Sequence, residues 1–137
     1  MMKWQNGDYL LTDDSSQIHL DVVLDLLSTT YWASERPKGV MEESIVNSVC
    51  FSLFLKDRQI GFARVVTDRA VFSWIADFVI HAELRQAGLG KWMLECILKH
   101  PFVKNTVQVL QTQDAHGFYA QYGFERHEVM RRKPNRS

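Results

Sequence analysis

The sequence predicts an α/β domain built on a mixed, mostly antiparallel sheet flanked by helices. Three observations lead there. Apolar, β-branched and aromatic residues crowd into the runs 49–55, 60–66 and 71–80. The polar turns Lys56-Asp57-Arg58-Gln59 and Thr67-Asp68-Arg69 separate them, the pattern of an antiparallel meander. Helical spacing flanks that block: Ile18, Val22, Val23, Leu26 and Leu27 precede it, and Leu89, Met93, Cys96 and Ile97 follow it. A further strand-like run, 106–110, comes after the second helix. Strand–helix–strand order normally makes a parallel pair through a right-handed crossover.

The remaining elements follow in chain order. Residues 4–11 read as a short first strand. Asp13-Asp14-Ser15-Ser16 is a cluster of helix-starting residues. The stretch 28–40, S-T-T-Y-W-A-S-E-R-P-K-G-V, carries turn residues and aromatics and reads as a loop, with a second short helix over 41–47. Pro101 stops the helix that begins near Leu89. A short helix is expected over 114–122, with Asp114 as its N-cap and Gly123 at its C-terminal end. Residues 124–131 read as the last strand. No repeat, low-complexity segment or linker interrupts the chain, and 137 residues suit a single domain over 1–137.

Composition narrows the function. Sixteen basic residues balance sixteen acidic ones, which argues against nucleic-acid binding through bulk charge. The basic run R-R-K-P-N-R reads as a solvated tail. Cys50 and Cys96 are far apart in apolar stretches and read as buried thiols. The N-terminus lacks an apolar signal region, and no apolar run approaches ~20 residues, so neither secretion nor a membrane partner is expected and the default location is cytoplasmic. The five histidines show no metal-ligand spacing, so no metal is expected.

Chemistry concentrates at I-H-A-E-L-R-Q-A-G-L-G-K-W-M-L, residues 80–94. A strand end meets a glycine turn and an amphipathic helix. The first turn of a helix carries backbone N–H groups without internal partners and the positive end of the helix dipole. Glycine lets a ligand approach that backbone, so the segment is suited to phosphate. It is not a dinucleotide fingerprint, because G-x-G-x-x-G lacks its third glycine, and not a P-loop, because Trp92 follows Lys91 where Ser or Thr is needed. The pattern present is R-x-x-G-x-G, Arg85 to Gly90. Alone it also fits an ordinary glycine-rich turn.

A second motif, D-A-H-G-F-Y-A-Q-Y-G-F, occupies 114–124. With both on the page, the chain resembles the GNAT superfamily of acyl-CoA N-acyltransferases. Arg85-Gln86-Ala87-Gly88-Leu89-Gly90 matches that family's Q/R-x-x-G-x-G/A pattern. Ala115, Phe118, Tyr119, Gly123 and Phe124 match its A-x-x-F-Y-x-x-x-G-F signature. Gln86 and Ala82 depart from the Gly and Pro frequent there, but only backbone N–H groups need face phosphate. The resemblance implies a GNAT fold whose parallel strands splay into an acyl-CoA cleft. It implies acetyl-CoA as cosubstrate, with its pyrophosphate on the amides of 85–91, where Arg85 and Lys91 add charge. Gln86, Ala87, Gly88, Leu89, Gly90, Asp114 and Phe118 complete the cofactor contacts. The pantetheine arm would pair with the strand end Phe78, Val79 and Ile80, and an N–H near Phe78 or Val79 would face the thioester oxygen.

The implied reaction is acetyl transfer to a primary amine by direct attack in a ternary complex. Tyr119 occupies the family's general-acid position; the alternative is a ring that only packs against the cofactor. Asp77 lies on the strand that carries the general base in relatives and, if Ile75 and Val79 share its face, is an odd polar residue there; the alternative is a structural pairing with an Arg or His. His81 is a relay candidate or a solvent-facing residue. Trp32, Glu35, Arg36 and Trp74, with Tyr31, are candidates for the acceptor pocket, or else core aromatics and a solvated charge pair. The acceptor is open between a small-molecule amine and a protein amine, and a homodimer is possible. Two rival readings are a non-enzymatic acyl-CoA sensor and an interaction domain without cofactor.

Overall fold

The computed structural model describes residues 1–134, with backbone only for Gln86 and Ala87. Its sheet has six strands in sequential order: β1 Lys3–Asn6, β2 Tyr9–Thr12, β3 Val49–Leu55, β4 Arg58–Thr67, β5 Phe72–Ile80 and β6 Val107–Val109. Every neighbouring pair is antiparallel except β5 and β6, which are parallel. The helices are α1 Leu20–Ser28, α2 Lys38–Val46, α3 Leu89–Lys99 and the short α4 His116–Ala120. The mixed sheet flanked by helices is the predicted fold class.

Two core layers sandwich the sheet. On one face Phe51, Leu53, Ile60, Val65 and Ile75 pack with Met93, Leu94 and Ile97 of α3. On the other, Cys50, Phe62 and Val79 pack with Val23, Leu26 and Leu27 of α1 and Met41 of α2. The α3 residues expected to share a face are all buried. Near the end of α3, buried His100 accepts the Phe102 N–H at Nδ1, 3.1 Å, so its Nε2 carries a proton and donates to Asp13 Oδ2 at 2.8 Å. Asp13 Oδ1 accepts the Met2 N–H at 2.7 Å, which ties the N-terminal hairpin to α3.

Several sequence expectations need correction. Residues 4–11 are not one strand but the hairpin β1–β2, because Gly7 turns the chain at φ +59°. The Asp13–Ser16 cluster opens a 3-10 turn, Ser15–Gln17, capped by Asp14; α1 starts later, where Gln59 Oε1 accepts the His19 N–H at 2.9 Å. The second helix begins at Lys38, three residues early. Asp114 does not cap α4, which starts at His116; Thr112 Oγ1 accepts the Ala115 N–H instead. The segment 124–131 forms no strand. Charged residues alternate through it and its apolar pair, Val129 and Met130, stays exposed, so sheet pairing would bury little.

The feature that matters for function is where the parallel pair ends. β6 meets β5 only at Phe72, Ser73 and Trp74. β5 runs on through residues 75–80 with β4 on one edge and, among the described residues, no strand on the other.

Candidate active site

Where β5 runs past β6, its ladder with β4 carries a bulge. Arg64 of β4 lies opposite Ala76 and Phe62 opposite Val79, so Ala63 faces two β5 residues, Asp77 and Phe78. Asp77 takes φ +54°, the left-handed region that Asp tolerates better than most residues. The extra residue resets which face each side chain takes. Ile75 and Val79 therefore lie in opposite core layers rather than sharing a face. Asp77 swings toward the α2 side, buried at 3% exposure.

Its carboxylate is fully engaged. Oδ2 accepts from Arg36 Nη1 and from Arg64 Nε, each at 2.8 Å, and Oδ1 accepts from Trp32 Nε1 at 3.1 Å. Burial works to raise the Asp77 carboxyl, but the hydrogen bonds and charges of Arg36 and Arg64 outweigh it and hold the group below its ordinary value. A carboxylate so held has little affinity for an amine's proton. Asp77 thus has the arginine pairing that the structural reading of it anticipated.

Downstream of β5 the chain makes a 3-10 helix, Ala82–Ala87, in which His81 Nδ1 accepts the Glu83 N–H at 3.2 Å. His81 is thus a cap. Gly88 follows at φ +72° and starts α3 without any side-chain cap. Among the described residues, the N–H groups of Leu89, Gly90 and Lys91 donate to no protein acceptor. Arg85 Nε donates to Ile80 O at 3.0 Å, fastening the turn to the strand end, while its exposed side chain and that of Lys91 flank the amides. The side chains of Gln86 and Ala87 lie outside the described residues.

Strand residues present N–H and C=O alternately to their two neighbours. His81 N–H donates to Ile60 O of β4 at 2.7 Å, so Ile80 and Phe78 present theirs to the open edge. Across that opening stands α4. Tyr119 packs on Phe78, Phe118 and Phe124, with centroids 6.4, 5.0 and 5.8 Å away. Burial first, then the neighbouring Tyr31 and Asp114, push its phenol up to about 12. Phe118 lies against Gly90 and Phe78. Tyr122 donates to Glu95 Oε1 at 3.1 Å, pinning α4 to α3.

A strand with a free edge, an α3 start without a side-chain cap and an aromatic wall with a phenol thus lie together at the end of β5. The model of the acetyltransferase (GNAT) domain matches residues 47–126. The chain belongs to the GNAT family. An N-acetyltransferase of Gracilaria tenuistipitata var. liui named ycf52 is 31% identical over 117 residues, 80% of this chain and 64% of that protein. A crystal structure from Xanthomonas campestris pv. campestris, assigned to the GNAT family, is 32% identical, covers 92% of this chain and 93% of its own, and superposes with a TM-score of 0.86. A GNAT acetyltransferase of Elizabethkingia anophelis with acetyl-CoA bound shares the fold at TM-score 0.68, covering 90% of this chain and 80% of its own at 14% identity. The protein is accordingly an N-acetyltransferase of GNAT type.

Within this GNAT domain the expected acceptor residues divide. Trp32 and Arg36 converge on Asp77, and Trp74 lies on β5 beside Val66 of β4. Glu35 is exposed and makes no hydrogen bond among the described residues. Asp114 is likewise exposed. Tyr31 Oη accepts the Gln113 N–H at 2.9 Å, so the loop after α1 spans from β5 to the segment beyond β6. Arg64 was not among the expected site residues; its signal was a charge inside the apolar run I-G-F-A-R-V-V. Burial raises the Cys50 thiol to about 12 and the Cys96 thiol to about 11, which leaves both poor nucleophiles. No metal-holding cluster occurs among the described residues, and no helix there is long and apolar enough to cross a membrane.

Proposed function

We propose that this GNAT domain moves an acetyl group from acetyl-CoA to a primary amine by direct attack in a ternary complex. The observation that carries this reading is the β5 edge left open past Trp74, ending at the amides of Leu89, Gly90 and Lys91, which donate to no acceptor among the described residues. Those amides suit a pyrophosphate, with Gly88 giving close approach and Arg85 and Lys91 adding charge. The N–H and C=O of Phe78 and the N–H of Ile80, whose C=O accepts from Arg85, suit the amide-bearing pantetheine arm as an added strand. Phe78 N–H then faces the thioester carbonyl and stabilises the oxyanion formed when the amine nitrogen bonds to the acetyl carbon. The carbon–sulfur bond breaks, and Tyr119 gives its proton to the departing thiolate, recovering one from solvent. A phenol raised to about 12 is fully protonated at neutral pH, as an acid must be. With Asp77 held by two guanidiniums, the ammonium proton leaves to water and the neutral minority of the amine reacts.

Titration calorimetry with acetyl-CoA, followed by thiol-release assays over a panel of amines, tests this. Saturable binding that Gly88→Glu abolishes, with turnover of at least one amine, is the expected result. Binding without turnover of any amine would favour an acyl-CoA sensor, and no binding would overturn the reading altogether.

A further inference from the structure

The Arg36, Arg64 and Asp77 cluster does not balance its charge. Two guanidiniums share one carboxylate, and they share a single oxygen of it. The side chains are 23% and 14% exposed for the arginines and 1% for Asp77. Part-buried charges are normally paired, because withdrawing an ion from water is costly unless a counter-ion offsets it. Here one positive charge is left over.

Donors are left over as well. Arg64 uses Nε on Asp77 and Nη1 on Ser48 Oγ at 3.2 Å. Arg36 uses Nη1 on Asp77 and on the weak acceptor Met41 Sδ at 3.3 Å. Among the described residues, nothing accepts from Nη2 of either side chain. Buried Cys50, close to the cluster, stays a neutral thiol and supplies no charge.

Of the three residues, Arg64 also has an approach. A 510 Å³ open groove runs between α2 and β4, lined by Glu43, Ser44, Asn47, Ser48, Arg64 and Val66 among others. Glu43 is the acidic group on its wall. It is exposed, and its Oε1 accepts the Asn47 side-chain amide at 3.3 Å, so water and that amide screen it from the floor. Asp77, which both arginines hold, directly precedes Phe78, whose N–H faces the open edge.

We infer that Arg64 and Arg36 bind an anionic group on the acceptor, which is therefore an amine carrying a carboxylate or phosphate a few bonds from its nitrogen. A guanidinium pair recognises either oxyanion through charge-assisted hydrogen bonds. The inference rests on the acetyl-transfer reading and names the substrate class for it.

Matched amines give the test: phenylalanine against phenethylamine, histidine against histamine, phosphoethanolamine against ethanolamine, each with saturating acetyl-CoA. The anionic member of at least one pair should have kcat/KM about tenfold or more above the partner that lacks the carboxylate or phosphate, the scale of one charge-assisted hydrogen bond. Arg64→Gln and Arg36→Gln should collapse that ratio toward one, chiefly by raising KM for the anionic amine, with Arg64→Lys restoring part of it. The carboxylate pairs and the phosphate pair separate the two oxyanions. Should Arg64→Gln fail to fold, Arg36→Gln in the loop still reports. Ratios near or below one in the wild type, or a preference surviving both glutamine variants, would overturn the inference while leaving acetyl transfer standing. Acetyl-CoA binding with no amine turned over would instead sink the acetyl-transfer reading itself.

Discussion

Arg36, from the loop after α1, and Arg64, from the middle of β4, donate to the same oxygen, Asp77 Oδ2, at equal distances of 2.8 Å. That shared acceptor joins the acceptor-side loop to the bulge beside Phe78. Asp77 thereby ties three elements together through its charge.

Asp77→Ala should destabilise the fold by about 3 kcal/mol, the lower part of the range for removing one partner of a buried ion pair, since both arginines keep some water. Asp77→Asn should cost less, because Asn also tolerates a left-handed backbone and still accepts one hydrogen bond. Thermal melts of the three proteins at neutral pH check the order.

The same carboxylate predicts an acid limb. Its folded-state value is held below the ordinary 3.8, so the group binds more protons unfolded than folded around that pH. Its contribution is fully present above the unfolded value and is lost as pH falls through the folded one. The gap between wild type and Asp77→Asn should therefore begin to narrow below about pH 4 and close only as pH falls through the folded-state value. Denaturant midpoints measured from pH 7 down to pH 3 would show the gap unchanged if the ion pairs were not responsible.

Tyr119→Phe should lower kcat by roughly 10²–10⁴, the span of general acid catalysis, with little change in acetyl-CoA affinity. Among the described residues nothing hydrogen-bonds the Tyr119 hydroxyl, so the melting temperature should hardly move. Because the phenol is raised to about 12, activity should show no alkaline loss from this group below about pH 10. Stopped assays across pH, with calorimetry for binding, decide it; an unchanged kcat would reduce Tyr119 to a packing residue.

Gly88 stands at φ +72° with open space where a Cβ would go. Gly88→Ala therefore meets backbone strain but no clash, costing about 1–2 kcal/mol. Gly88→Asn should cost less, since Asn visits the left-handed region more readily. Melting curves for the pair separate strain from crowding.

Asp13→Ala should cost about 1–3 kcal/mol by leaving the buried Nε2–H of His100 without a partner. It lies away from the open edge of β5, so kcat should be retained. A loss of kcat larger than the loss of folded protein would show that the hairpin clamp reaches the cleft.

Much of this was legible in one dimension because it depends on local pattern. The alternation of 49–80 specified the meander, and Arg85 through Gly90 with Ala115 through Phe124 specified the cofactor side. Those segments work through backbone conformation, which glycine and periodicity encode directly. Asp77 was visible as an anomaly, but its role was not. Its partners Trp32, Arg36 and Arg64 lie 45, 41 and 13 residues away, and a bulge decides which way it points. The missing last strand has the same origin: strand composition in 124–131 is necessary for pairing, yet without a buried face it is insufficient.

The sequence by itself determined the family, the β3–β5 meander with α3 after it, and the amide-rich turn, since each is written in neighbouring residues. Tertiary structure alone decided that β5 parts from β6 after Trp74, and that two arginines close on one carboxylate beside the opening. Register and charge pairing are sums over distant segments, and one inserted residue in a strand reverses the face of everything after it.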